Sequence, residues 1–103
     1  MNEDQGEIRE GGDMPTQKVI KGANALNEMA ILDREGKAGF HLVDFGPLRL
    51  VMEPSDQEWE HLRLVFASPR TLLALQETGW TVVGNWFAFT YLKRRTDTPV
   101  GAG

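Results

Sequence analysis

The chain has 103 residues, with 11 Lys plus Arg against 15 Asp plus Glu and no cysteine. That length makes one domain with one real core, and the missing cysteines exclude disulfides, thiolate zinc sites and cysteine nucleophiles together. No apolar run approaches the ~18 residues of a membrane span. The acidic start Met1-Asn2-Glu3-Asp4 lacks the apolar stretch of a signal peptide, so a cytoplasmic location is expected.

The acid excess is local. Residues 1–13 hold Glu3, Asp4, Glu7, Glu10 and Asp13 against Arg9 alone, and the remaining chain balances ten acids with ten bases. A segment with three glycines and a single branched aliphatic cannot bury enough surface to offset its chain entropy. Residues 1–13 are therefore expected to be a disordered acidic tail. A single α+β domain should follow over 14–95, and a flexible tail over 96–103.

In chain order, Gln17 to Lys21 reads either as a short strand or as the first turn of a longer helix. Ala23, Leu26 and Ala30, with Ala25, Met29 and Leu32, follow helical spacing, and the helix should stop at Gly36. Phe40 to Phe45 and Leu48 to Glu53 form a hairpin turning at Gly46-Pro47. Pro54-Ser55-Asp56 is a turn cluster. Trp59 to Ala67 alternates as a strand. Ser68 is a natural N-cap with Pro69 at the first helical position. A short helix runs over Arg70 to Thr78, and Gly79 is placed to end it. Trp80 to Val83 and Trp86 to Lys93 make a second hairpin turning at Gly84-Asn85.

The Gly-aromatic steps Gly39-Phe40-His41-Leu42-Val43 and Gly79-Trp80-Thr81-Val82-Val83 stand 40 residues apart in the sequence. Each follows a helix and leads into a hairpin. The spacing predicts a duplicated βαββ unit, over 16–53 and 58–95, forming antiparallel sheet with two helices on one face.

At these steps the sequence resembles a group of small uncharacterised bacterial domains. Their pattern is roughly Leu-Asn-x-x-Gly-x-x-Gly-Trp-x-Leu-Val, followed by a hairpin ending in an aromatic strand and Lys-Arg. Leu32 to Val43 is similar to the first part, with Phe40 in place of Trp. Gln76 to Val83 is similar to it again, with Gln76 where the first Gly is expected. Phe89 to Arg94 is similar to the ending. The resemblance covers about half of the chain, supports the fold and carries no activity.

For chemistry, no nucleophile elbow, phosphate loop or dinucleotide fingerprint occurs. Gly36-Lys37-Ala38-Gly39 leads into a strand, whereas a phosphate cradle needs amides at a helix N-terminus. His41 and His61 match no metal-ligand spacing and read first as strand histidines. They would converge only if the first hairpin neighboured the 59–67 strand. No catalytic residue, metal or cofactor is assigned, and the balance of the reading is against an enzyme.

The stretch 86–95 is the most informative. Alternation puts Phe87, Phe89 and Tyr91 on one face and Trp86, Ala88, Thr90 and Leu92 on the other. Aligned with the first unit, where Leu48, Leu50 and Met52 are the core face, the three aromatics fall on an open face with Arg49 and Val51. An aromatic patch of that kind is seldom left bare. The leading expectation is a non-enzymatic interaction module, self-associating as a homodimer through this face. A second reading is a small-molecule binder or small enzyme with a cleft between helices and sheet, lined by Trp59, Trp80, His41 and His61. Nucleic-acid binding would use the aromatics for stacking, but a body of zero net charge argues against it. An inhibitor or immunity-type role also suits a small, acidic, cysteine-free domain.

Overall fold

The computed structural model describes residues 17–101; the acidic segment 1–13 lies outside them, as do 14–16 and 102–103. The element order is β1 (Lys18–Lys21), α1 (Glu28–Lys37), β2 (Phe40–Gly46), β3 (Arg49–Pro54), β4 (Gln57–Val65), α2 (Pro69–Glu77), β5 (Thr81–Trp86) and β6 (Phe89–Pro99). This is an α+β fold in which βαββ occurs twice. The strands separate into two antiparallel three-stranded sheets, ordered β1-β3-β2 and β4-β6-β5. The ambiguous segment after Gln17 is thus a strand, and the first helix starts only at Glu28.

The two units share their joints. Gly39 and Gly79 take φ of 94° and 98°, a left-handed conformation that glycine adopts without penalty. Their N–H groups donate to the carbonyls of Gly36 and Gln76 at 3.0 and 3.1 Å. Each hairpin carries a register shift at the same place, between Leu42 and Asp44 and between Val82 and Gly84. Each first strand ends on the tip of its own hairpin. Gly22 N–H donates to Leu48 O at 2.8 Å, and Phe66 N–H donates to Ala88 O at 2.7 Å.

Both hairpins close later than the glycines suggest. The turns are Pro47-Leu48 and Phe87-Ala88, and Gly84 and Asn85 are paired in the ladder opposite Tyr91 and Thr90. Gly84 serves close approach instead of turning: a Cβ there would stand 3.3 Å from the Phe45 ring. The domain also extends past Arg95. β6 continues to Pro99, which pairs with Gln57, and the Thr96 hydroxyl donates to Glu58 O at 3.1 Å. Residues 96–99 are strand because β4 begins early enough to pair with them.

Leu32, Leu42, Leu50 and Met52 are fully buried and share one core with Ala23 and Tyr91. Burying each large side chain contributes roughly 1.5–3 kcal/mol. Tyr91 belongs to the second unit and the others to the first, so the core crosses the repeat. Lys18 Nζ reaches over the Phe40 ring at 4.6 Å and donates to Glu35 Oε1 at 2.8 Å, fixing the face of β1 and β2 that meets α1. Burial alone would raise the Glu35 carboxyl, but the hydrogen bonds and charges of Lys18 and Arg34 outweigh it and hold the group below its ordinary value.

The opposite side of α1 meets β4. A Cβ on Gly36 would come within 2.2 Å of Trp59 O, a backbone atom that cannot swing away. In α2 the corresponding residue is Gln76, which is exposed. α2 is capped as expected, with Ser68 Oγ accepting from Thr71 N–H at 3.2 Å, yet none of its residues is fully buried.

Gly36→Ala should therefore destabilise the fold by about 1–3 kcal/mol, the usual cost of overpacking, although alanine is the better helix former by about 1 kcal/mol. Gln76→Ala should be near neutral. Denaturant midpoints of the two variants measure this, and a stabilised Gly36→Ala would show that α1 does not press on β4.

Candidate functional site

Two side-chain groupings stand out, one at the junction of the units and one at the hairpin ends. The junction forms where the free edge of β2 meets β4 and β6. Leu42 N–H donates to His61 Nε2 at 3.1 Å, and Lys93 Nζ donates to Leu42 O at 2.8 Å. His61 and Lys93 are register partners on adjacent strands. Together they satisfy the backbone groups that an edge strand otherwise leaves open. Lys93 Nζ also meets His41 Nδ1 at 2.7 Å, and the His41 ring stacks on Trp59 with centroids 4.3 Å apart. Trp59 Nε1 is fixed by Ser55 Oγ at 2.7 Å.

The structure thus brings His41, His61 and Trp59 together, as the cleft reading requires, but it closes them into a clasp. Trp80 is not with them. Its ring lies under the Arg94 guanidinium at 4.6 Å. Arg94 follows Lys93 in β6, so the two point to opposite faces of the sheet.

The clasp needs neutral histidine. Burial first, then the Lys93 charge, pushes His61 down to about 4 and lowers His41 as well. Nε2 accepts, so Nδ1 carries the proton; it is buried beside the Leu32 carbonyl and closes no hydrogen bond among the described residues. Protonation would turn Nε2 into a second donor facing an N–H.

The second grouping is a pocket of about 260 Å³ between the two hairpins and the start of α1. Phe45, Leu48, Trp86, Phe89 and Tyr91 supply its apolar walls, and Glu28 its acidic group. Glu28 is the first residue of α1 and is buried. Asn24 Oδ1 holds the preceding turn by accepting from Leu26 and Asn27 N–H at 2.8 and 3.1 Å. The Tyr91 hydroxyl donates to Glu28 Oε1, and Arg63 Nη1 donates to the same oxygen at 2.8 Å. Burial and the Glu28 carboxylate push the Tyr91 hydroxyl up to about 12, so it stays a donor. The Arg63 guanidinium also covers the Phe89 ring at 4.9 Å.

The expected open aromatic face is corrected here. Tyr91 is only 4% exposed, Phe89 packs against the core, and Val51 is buried. The reason is the first unit itself: the Phe45 ring lies 4.6 Å from Tyr91, and α1 supplies Glu28. β6 is thus buried on both sides at Thr90, Tyr91 and Leu92. Arg49 is exposed at the first hairpin. Phe87 alone of the three aromatics is open, at 89%, because it occupies the turn. Glu28 and Phe45 were not singled out by pattern. An acid opening an apolar helix and the chain's single tyrosine were the available signals.

No known protein family matches the chain, and neither the curated proteins nor the solved structures contain a match to it. Among the described residues, no helix is long and apolar enough to cross a membrane.

The histidines set a pH dependence. His61 binds a proton near pH 6.5 when unfolded and near 4 when folded, so its contribution is complete above about 6.5 and is lost as pH falls toward 4. The loss should be about 3 kcal/mol at 1.36 kcal/mol per unit, with His41 adding in the same direction. His61→Leu should be weaker at pH 7, having left Leu42 N–H unpaired, and flatter across that window. Urea titrations between pH 7 and 4 measure it. A wild-type stability that holds constant over this range would contradict the clasp.

Proposed function

We propose that the chain is a small, non-enzymatic interaction module that self-associates through its hairpin end. The observation that carries this reading is the gathering of exposed large apolar side chains there. Phe66, Trp86 and Phe87 are 81, 56 and 89% exposed, and Leu48 and Val65 are also open. They adjoin one another: Phe66 is bonded to the Phe87-Ala88 turn, Val65 and Trp86 both pair with Phe89, and Leu48 and Trp86 line the same pocket. Phe87 holds a φ of 54°, a conformation that disfavours a bulky residue and favours glycine.

Three adjoining open aromatics are more apolar surface than a monomer usually leaves in water, and covering them recovers roughly 25 cal/mol per Å². These five side chains carry no charge, so two copies can meet across a two-fold axis without like-charge repulsion. Base stacking is less well supported, since Tyr91 is buried and cannot offer its face. A cytoplasmic setting is part of the proposal and rests on the cysteine-free composition.

Sedimentation of the wild-type chain should show a concentration-dependent dimer, and Phe87→Asp should give a monomer with unchanged circular dichroism and a thermal midpoint that no longer depends on protein concentration. Phe87 makes no core contact, so loss of folding is not expected from its replacement. A wild-type chain that stays monomeric at high concentration, or a Phe87→Asp variant that still dimerises, would overturn the reading.

A further inference from the structure

We infer that the pocket between the two hairpins binds one neutral, planar, fused-ring small molecule bearing an N–H donor, of the indole type. The inference stands on the pocket and not on self-association.

Size sets the first limit. A cavity of about 150 Å³ accommodates one benzene ring, so a pocket of about 260 Å³ has room for two fused rings. Shape sets the second. Phe45, Trp86, Phe89 and Tyr91 contribute four rings to the lining, which favours a flat occupant that can stack or meet ring edges. Phe45 and Tyr91 are already held against each other at 4.6 Å, and Arg63 braces Phe89 from outside, so those walls are fixed before anything binds.

Charge sets the third limit. Glu28 is the single ionisable group of the lining apart from the Tyr91 phenol, and Arg63 pairs with it at 2.8 Å. The site is therefore close to neutral. A cation would approach the Arg63 guanidinium, and an anion would face the Glu28 carboxylate. The Tyr91 and Arg63 bonds both fall on Oε1 of Glu28. Oε2 has no bond among the described residues and can accept an N–H from an occupant. A neutral ring with a donor satisfies all three limits. A pure hydrocarbon would fill the space but would shield that oxygen from water without replacing its hydrogen bond.

The test is an NMR titration of the full chain, in the Phe87→Asp background so that dimerisation does not compete, with indole and naphthalene as probes. Indole should shift the amides of Gly46, Leu48 and Ala25 and the side-chain N–H of Trp86 saturably, and bind at least fivefold more tightly than naphthalene. Glu28→Gln should reduce that preference, and Ala25→Phe, which adds a ring to the lining and keeps the Ala25 carbonyl that accepts from Arg63 Nη1, should weaken both probes. Absence of a saturable shift at these residues would overturn the site. Equal binding of the two probes, or indole binding that Ala25→Phe leaves unchanged, would overturn the assigned chemistry. Should Glu28→Gln unfold the chain, the indole to naphthalene ratio and the Ala25→Phe result still decide. Failure here leaves self-association intact, and a monomeric wild-type chain leaves this pocket intact.

Discussion

The arrangement of the two units depends on how one sheet edge is finished. The outer edge of β2 would present Leu42 N–H and C=O to water or to another strand. His61 and Lys93 take both groups from the face of the second sheet. A strand edge is thereby held against a sheet face, and the two sheets do not continue into one. Side-chain partners can do this where a further strand would give a flat, extended sheet with new edges to protect. Because the bonds are made by an uncharged imidazole and an ammonium at neighbouring positions, the geometry is directional and cannot slip by a residue.

Several other features follow from that junction. With β2 seated on the second sheet, Phe45 lies over Gly84 and against Tyr91. Both hairpin ends then point the same way, and the space between them becomes the pocket. α1 is pressed between its own sheet and β4, which accounts for Gly36 at a helical position that the Trp59 backbone approaches closely. Glu28 is carried to the pocket floor at the same time, where Arg63 and Tyr91 neutralise and bind it. A buried carboxylate is costly unless paired and hydrogen-bonded, and here it has both partners. The acid-sensitive histidine and the pocket are two consequences of one docking geometry.

Much of the fold was legible because local chemistry and the repeat agree. Ser68-Pro69 marks the start of α2, and Gly39 and Gly79 mark helix ends through backbone conformations that L-residues resist. What pattern could not supply was which face of β6 is covered. Leu92 and Tyr91 alternate in the strand, yet both are buried, since one side meets material from the other unit. Alternation measures burial on one side only; it fails where a sheet is covered twice. Gly84 was misleading for a related reason. Glycine permits a turn and also permits close approach of a ring, and only the position of Phe45 distinguishes these. His41, His61 and Trp59 were legible as a group once the first hairpin lies beside β4, but their bonding to the backbone of β2 is a tertiary fact.

The two units also differ in a way that bears on assembly. α1 has strand on both sides, whereas α2 has its own sheet on one side and no fully buried residue. If copies associated by repeating the internal arrangement, α2 of one chain would have to press on the β1 edge of another. Gln76 opposes this, because it stands where α1 needs glycine to let backbone touch backbone. β1 opposes it too, being four residues long with lysine at both ends, a common way of discouraging edge pairing. Propagation of the internal interface into a filament is therefore blocked at both of its surfaces. The hairpin end has neither block: its apolar side chains are uncharged, adjoining and open. The association proposed there would be isologous and would stop at two copies.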